Sequence, residues 1–261
     1  MDLQLAGKLG LVSGSTAGIG HAIAMALAAE GARVIVNGRT SDAVKAAVAA
    51  MQKTVKGQVL GFPGDLSDAA VARQLFEQHP DVEIVVNNLG IFEPKAFEDI
   101  PDEDWKKFFD VNVLSGVRLA RLYLPGMKKR NWGRILFISS ESGIQIPAEM
   151  IHYGMTKTAQ LAVSRGLAES VAGTGITVNS VLPGPTKSRG VVDFVNALSR
   201  GKSFEEFEKE FFEKVRPSSL IKRFATPEEV ASMVAYLASP LASATTGAAV
   251  RADGGVVRSA F

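Results

Sequence analysis

The chain has 261 residues, 46% of them hydrophobic and 21% charged, which is typical of a folded protein with a large core and excludes the fibrous and disordered classes. Lys and Arg are dispersed and the formal net charge is only +2, so we expect no nucleic-acid partner. The lack of cysteine excludes disulfides and thiolate metal sites, and three scattered histidines (His21, His79 and His152) predict no metal site.

Short apolar or β-branched runs alternate along the chain with longer segments of helical periodicity. The runs predict seven strands, at residues 9–13, 33–37, 58–62, 83–87, 134–139, 176–181 and 248–251. The segments between them predict helices at residues 18–30, 41–55, 67–78, 102–129, 150–172 and 227–238. This alternation predicts an α/β fold: a doubly wound, Rossmann-like parallel sheet of about seven strands with helices on both faces. No linker divides the chain, so we expect one domain over residues 1–261.

A glycine-rich turn, G-S-T-A-G-I-G, lies between the first predicted strand and the first predicted helix. Glycines allow a tight turn and a close approach of the backbone to a phosphate, and the helix N-terminus adds free N–H groups. The alternative is a tight connection without a ligand. The turn's candidate nucleotide-binding residues are Gly14, Ser15, Thr16, Gly18, Ile19 and Gly20.

The end of the second predicted strand carries a basic residue where many dinucleotide-binding proteins have an acidic one. Arg39 follows the strand closely, and no carboxylate stands there to bind both ribose hydroxyls. A guanidinium at this place can bind a 2′-phosphate, so we expect NADP(H) to be preferred, with NAD(H) as the alternative. A solvated surface arginine is the competing interpretation.

A tyrosine and a lysine share one face of the helix predicted at residues 150–172. Tyr153 and Lys157 are spaced i, i+4, and a cation at this distance can lower the pKa of a phenol. Ser140 follows a strand at its carboxyl end, where it can hydrogen-bond a substrate oxygen. No histidine is placed to activate Ser140, so a serine hydrolase is poorly supported.

These motifs occur in one order along the chain, and together they resemble the short-chain dehydrogenase/reductase family in its compact branch. The resemblance covers nearly the whole chain, from Lys8 to the D-G-G tail that begins at Asp253. Ser13 and Leu89 stand where the family usually has Thr and Ala. The motifs that carry the resemblance are Gly14-x-x-x-Gly18-x-Gly20, Asp65-Leu66, Asn87-Asn88-Leu89-Gly90, Asn112, Ser140, Tyr153-x-x-x-Lys157 and Pro183-Gly184.

The resemblance implies four catalytic residues. Tyr153 would be the general acid in carbonyl reduction or the base in alcohol oxidation, and Lys157 would lower its pKa and hold the nicotinamide ribose. Ser140 would orient the reacting oxygen. Asn112 would hold a water that links Lys157 to solvent.

The resemblance also implies contacts with the cofactor beyond the glycine turn. Asp65 would bind the adenine amino group; the alternative for Asp65 is a helix cap, a role that Ser67 fits better. The other implied cofactor residues are Leu66, Asn88, Gly90, Pro183, Gly184, Thr186 and Ser188, together with Tyr153 and Lys157.

The family places a substrate-covering segment around residues 188–220. Four aromatic residues there fall on one helical stripe: Phe204, Phe207, Phe211 and Phe212. Core packing is one interpretation of this stripe, and an apolar cover over a hydrophobic substrate is the other.

We therefore expect an NADP(H)-preferring oxidoreductase that interconverts a carbonyl and a secondary alcohol, with reduction as the expected direction. A non-catalytic dinucleotide-binding or redox-sensing module on the same fold is the alternative. The sequence has neither a signal peptide nor a run of about 18 apolar residues, so a cytoplasmic location without a membrane partner is expected. The resemblance implies a homotetramer.

Overall fold

Seven strands form one parallel sheet in the computed structural model, which describes residues 2–55, 57–188 and 203–260. The strand order is β3-β2-β1-β4-β5-β6-β7. The strands are β1 (Leu9–Val12), β2 (Arg33–Gly38), β3 (Val59–Pro63), β4 (Ile84–Asn87), β5 (Gly133–Ile138), β6 (Ile176–Pro183) and β7 (Ala249–Ala252). Strands in the centre are buried on both faces, which explains their uninterrupted apolar runs.

Helices cover both faces of the sheet, which confirms the predicted doubly wound α/β fold. They are α1 (Gly18–Ala29), α2 (Ser41–Gln52), α3 (Ala69–Gln78), α4 (Asp102–Phe109), α5 (Ser115–Arg130), α6 (Ile151–Ser170), α7 (Phe204–Lys214) and α8 (Pro227–Ala238). Helices α1, α2 and α8 bury their apolar residues against one face, and α3, α5 and α6 do so against the other. No helix among these residues is both long and apolar enough to span a bilayer.

The strand order reverses between β1 and β4, and this topology positions the site. In open parallel sheets of this kind a crevice forms at the carboxyl ends of the strands where the order reverses. The segments that follow β1, β4, β5 and β6 all begin at this edge. The glycine turn follows β1, and Ser140 lies two residues after the end of β5.

The prediction of one uninterrupted helix over residues 102–129 is wrong in one respect. A π-helical turn, Asp110–Leu114, separates α4 from α5. Within it, the side chain of Asn112 accepts a hydrogen bond from Ile91 N and donates to Ile91 O and to Thr156 Oγ1. These bonds tie the turn to the chain after β4 and to α6, and they are tertiary contacts that helical periodicity does not report.

The start of the third helix differs slightly from the prediction. We expected Ser67 to be the better cap, but Asp68 is the N-cap and accepts hydrogen bonds from Ala70 N and Val71 N. Asp65 accepts from both the backbone N–H and the hydroxyl of Ser67. Asp68, one residue nearer to the helix than Ser67, therefore caps it, and Asp65 lies before the helix.

Candidate active site

A cavity of about 640 Å³ opens at the carboxyl edge of the sheet. Its walls come from the glycine turn, the segments after β4, β5 and β6, and helices α6 and α7. The predicted site residues that line it are Gly18, Ile19, Gly20, Asn88, Gly90, Ser140, Tyr153, Lys157, Pro183, Gly184, Thr186 and Ser188. The fold thus brings predicted catalytic and cofactor residues from distant parts of the chain to one space.

A smaller pocket of about 150 Å³ shares Ala17 with this cavity. The predicted residues that line it are Gly14, Thr16, Arg39, Asp65 and Leu66. The Arg39 side chain is exposed to solvent at this pocket. The two spaces together are lined by all the predicted site residues except Ser15 and Asn112.

Hydrogen bonds inside the protein shape the glycine turn. The buried Ser15 hydroxyl donates to Val12 O at 2.6 Å and accepts from Asn37 N at 2.9 Å, so this side chain shapes the turn from within. A Cβ at Gly20 would lie 2.4 Å from Asn88 Nδ2 and 2.6 Å from Gly14 O, which requires glycine there.

The start of α1 follows the glycine turn directly. Its N-cap, Ala17, has no side chain that could accept a hydrogen bond from the first N–H groups of the helix. N–H groups at a helix start that lack a partner fit a pyrophosphate.

Asn37 is a structural residue of the nucleotide region that the sequence reasoning missed. Its Oδ1 accepts from Gly14 N, and its Nδ2 donates to Phe62 O and Gly64 O. The side chain therefore joins the ends of β1, β2 and β3, and Asn37 lines the smaller pocket. A buried polar residue near the end of an otherwise apolar strand was the available signal.

Ser140 and its neighbour Glu141 form a buried pair in the larger cavity. The Ser140 hydroxyl donates to Glu141 Oε2 and accepts from Ser142 N at 3.1 Å. Glu141 Oε2 also accepts from Ser142 N at 2.9 Å. The single O–H of Ser140 is therefore directed at a carboxylate in this conformation.

The Tyr153 phenol is held in its neutral form. Burial is the main cause that raises the pKa of Tyr153, and the Glu141 carboxylate raises it further. The nearby Ser140 hydroxyl and the charge of Arg216 oppose this rise without cancelling it. The resemblance implied a lowered pKa; in this structure desolvation outweighs the nearby positive charge.

Lys157 lies on the same face of α6 as Tyr153, as the spacing predicted. Its ammonium is 5.5 Å from the centre of the Tyr153 ring and donates to Ile138 O at 2.9 Å. Burial lowers the pKa of Lys157 to about 7. The ammonium charge is consequently sensitive to small changes around it near neutral pH.

Asn112 is buried beside the cavity rather than in its wall. Its side chain is fully occupied by Ile91 and Thr156, and its backbone carbonyl accepts from Gln160 Nε2 at 2.5 Å. Gln160 Oε1 in turn accepts from Lys157 Nζ at 3.3 Å. The sequence reasoning did not single out Gln160.

Arg216 is a second residue that the sequence reasoning missed. It follows α7 and lines the cavity, where its Nε donates to Glu141 Oε1 and its Nη1 donates to Glu149 Oε1, both at 3.2 Å. Its side chain is only 11% exposed. Glu141 flanks Ser140 in the sequence, but Arg216 is 75 residues further on, so no local pattern joins the two.

Helix α7 forms one side of the cavity. Ser203 and Glu206 start it with a capping box, and Phe207 and Phe211 line the cavity. Phe212 is buried and packs edge-to-face on Phe224, with ring centres 5.1 Å apart. The aromatic stripe therefore contributes to both the core and the cavity wall. Within the predicted covering segment 188–220, residues 189–202 lie outside the described residues.

Comparisons with known proteins find relatives over the whole chain. Residues 14–257 match a family described as Enoyl-(Acyl carrier protein) reductase. The uncharacterized oxidoreductase YvaG of Bacillus subtilis is 49% identical over 100% of both chains. The D-beta-hydroxybutyrate dehydrogenase of Cupriavidus necator is 36% identical over 97% of this chain and 99% of its own.

A solved structure with the same fold contains a nucleotide. The L-sorbose reductase of Gluconobacter frateurii, complexed with NADPH and L-sorbose, is 29% identical, with a TM-score of 0.93 over 99% of this chain and 100% of its own. Among the described residues of the present chain, no group of three His, Asp or Glu side chains could hold a metal ion.

Proposed function

The chain belongs to the short-chain dehydrogenase/reductase family and is an NADP(H)-dependent oxidoreductase that interconverts a carbonyl and an alcohol, and we propose that Tyr153 is its general acid in carbonyl reduction. The observation that carries this proposal is the placement of Ser140, Tyr153 and Lys157 in one cavity with the glycine turn. NADP(H), when bound, supplies the hydride.

The neutral state of Tyr153 supports the acid role. A phenol whose pKa is raised keeps its proton at neutral pH and can give it to a carbonyl oxygen that gains charge. The Lys157 ammonium, 5.5 Å from the ring centre, then stabilises the phenolate that forms. Ser140 turns its hydroxyl from Glu141 towards the substrate oxygen and orients it.

The predicted cofactor residues fall into groups that would contact different parts of NADP(H). We assign the pyrophosphate to the glycine turn and the start of α1, and the 2′-phosphate to Arg39. Asp65 and Leu66 would flank the adenine from the smaller pocket, and Ser15 would act through the shape of the turn. The residues assigned to the two riboses and the nicotinamide are Asn88, Gly90, Tyr153, Lys157, Pro183, Gly184, Thr186 and Ser188.

The walls of the cavity favour a neutral carbonyl compound with an apolar flank. One wall is aromatic, with Phe207 and Phe211. Beside Phe211, Glu141 and Glu149 form ion pairs with Arg216, and this cluster has a formal charge of −1. The two carboxylates would repel a free carboxylate of a substrate that lay next to them. Of the compounds named for the similar proteins, L-sorbose shares the neutral charge expected of the substrate, whereas hydroxybutyrate is a carboxylate. In the same proposal, the whole chain is one Rossmann-type domain. The described part of the predicted covering segment, Ser188 and residues 203–220, flanks the substrate.

Replacement of Tyr153 tests the proposal. In Tyr153→Phe the ring still fills its place and only the acidic hydroxyl is lost. We expect NADPH affinity, measured by nicotinamide fluorescence, to stay at the wild-type value and kcat to fall by about 10²–10⁴-fold.

The preference for a neutral substrate has its own test. Ethyl acetoacetate is the neutral substrate and acetoacetate its charged counterpart, and we expect wild-type kcat/KM to be higher for the ester.

Retained turnover in Tyr153→Phe would remove Tyr153 from the mechanism. The alternative function, a dinucleotide-binding or redox-sensing module, would show tight NADPH binding and no reduction of any ketone by the wild-type protein. The intact Ser140, Tyr153 and Lys157 around a substrate-sized cavity favour the enzyme.

A further inference from the structure

Gln160 joins two groups of the site through its side-chain amide. It lies three residues after Lys157 on α6, on the same helix face, and is 1% exposed. Its Oε1 accepts from Lys157 Nζ at 3.3 Å, and its Nε2 donates to the backbone carbonyl of Asn112 at 2.5 Å. An amide offers an acceptor and a donor on one rigid plane, so both contacts are made by the same group.

The contact with Lys157 restricts the direction of the ammonium. An ammonium has three N–H donors, and two of them go to Gln160 Oε1 and Ile138 O. The third has no partner in the described part of the chain, and Lys157 lines the cavity. Because two of the three N–H bonds are directed at fixed acceptors, the direction of the third is set as well.

The other end of the amide is anchored by an unusual backbone feature. Asn112 belongs to the π-helical turn between α4 and α5, and its side chain is held by Ile91 and Thr156. The carbonyl that receives Gln160 Nε2 is thereby fixed relative to α6. The π turn thus supports Lys157 through Gln160.

We propose that Gln160 is a positioning residue for Lys157, with Oε1 holding the ammonium in its charged form and Nε2 fixing the amide on the Asn112 carbonyl. This inference rests on the proposed function of the site, because it gives Lys157 a support that the family motif does not contain. Gln160 itself does not line the cavity.

The effect of the Gln160 contact can be measured as a change in the pKa of Lys157. Burial lowers the pKa of Lys157 to about 7, and neither hydrogen bond of its ammonium among the described residues goes to a carboxylate. The titratable groups that line the same cavity are Tyr153 on α6, Glu141 after β5, Glu149 before α6 and Arg216 after α7. Removal of the Gln160 acceptor lowers the pKa of Lys157 further, whereas a carboxylate in its place raises it.

Two variants with opposite expected effects test the proposal. Gln160→Met keeps the length and removes both hydrogen bonds, and Gln160→Glu replaces the acceptor by a charged one. The pH midpoint of Lys157 reactivity is measured on the protein without nucleotide, by competitive acetylation with trace acetic anhydride and mass spectrometry. The pH profile of kcat is measured with NADPH. We expect Gln160→Met to move the Lys157 midpoint and the alkaline fall of kcat down by about one pH unit, and Gln160→Glu to move both up.

Controls separate positioning from folding. Gln74→Met, on the exposed face of α3, should leave both midpoints unchanged. Thermal unfolding is recorded for every variant, and Gln160→Asn, shorter by one methylene group, replaces the Met variant if that variant does not fold. Folded Gln160 variants with wild-type midpoints would overturn the proposal, even if their stability were lower. Shifted midpoints together with retained turnover in Tyr153→Phe would leave the Gln160 contact standing and overturn the proposed acid role of Tyr153.

Discussion

At the scale of single residues, the chemistry of the site comes from polar side chains placed at the ends of buried strands. Ser140 follows β5 and Asn37 lies within the last residues of β2, and both are almost fully buried. Each makes hydrogen bonds within the protein, and in the proposed mechanism the hydroxyl of Ser140 exchanges its bond to Glu141 for one to the substrate oxygen. Arg39 differs, because its guanidinium is exposed beside the smaller pocket and free to meet a phosphate.

Replacement of Arg39 tests the preference for NADP(H). A guanidinium that binds a phosphate through charged hydrogen bonds contributes about 1.5–3 kcal/mol, so Arg39→Met should weaken NADPH binding roughly 10–100-fold. NADH lacks the 2′-phosphate, and its affinity should not change. Fluorescence titration of both nucleotides measures the two affinities.

Arg33 provides the matched control. It is an exposed arginine at the opposite end of the same strand, where its Nε donates to Gln58. Arg33→Met should leave both nucleotide affinities at the wild-type values. Equal losses for NADPH and NADH in Arg39→Met would contradict the assignment of the 2′-phosphate to Arg39.

At the scale of elements, strands and helices were predictable where hydrophobic residues recur with a regular period along the chain. The alternation of apolar runs and amphipathic segments predicted all seven strands and, with α4 and α5 taken as one, seven of the eight described α-helices within a few residues. The π turn was not predictable, because it depends on hydrogen bonds between Asn112 and residues from two other segments. The roles of Arg216 and Gln160 were not predictable for the same reason, because both depend on hydrogen bonds to residues far away in the sequence.

Helix α7 is the element that most directly shapes the substrate space. Phe207 and Phe211 stack with ring centres 6.0 Å apart, and both line the cavity. Phe207→Ala removes part of the aromatic wall, so kcat/KM for a long apolar ketone should fall roughly 10-fold while that for acetone changes little. Steady-state NADPH oxidation with a ketone series of increasing chain length measures this.

The polar face of the same helix offers a control. Lys209→Ala changes an exposed side chain on α7 and should leave the whole ketone series unaffected. If Phe207→Ala gave wild-type kinetics with every ketone, α7 would be a core helix with no part in substrate selection.

At the scale of the whole molecule, the fold gathers residues that are far apart in sequence. The reversal of strand order between β1 and β4 places the glycine turn opposite the segments after β5 and β6. Hydride donor and proton donor must face one carbonyl, and this edge of the sheet is where both sets of residues meet. Homotetrameric assembly and a cytoplasmic location remain predictions.

The transfer of a labelled hydride tests the central claim most directly. NADPH deuterated at nicotinamide C4, in each of its two diastereomers, is incubated with ethyl acetoacetate and either the wild-type protein or Tyr153→Phe. The account predicts that one diastereomer delivers deuterium to the carbonyl carbon in the wild-type product, as seen by mass spectrometry, and that the variant binds NADPH without delivering it. Unlabelled alcohol from both diastereomers, or labelled alcohol from Tyr153→Phe at the wild-type rate, would contradict the account.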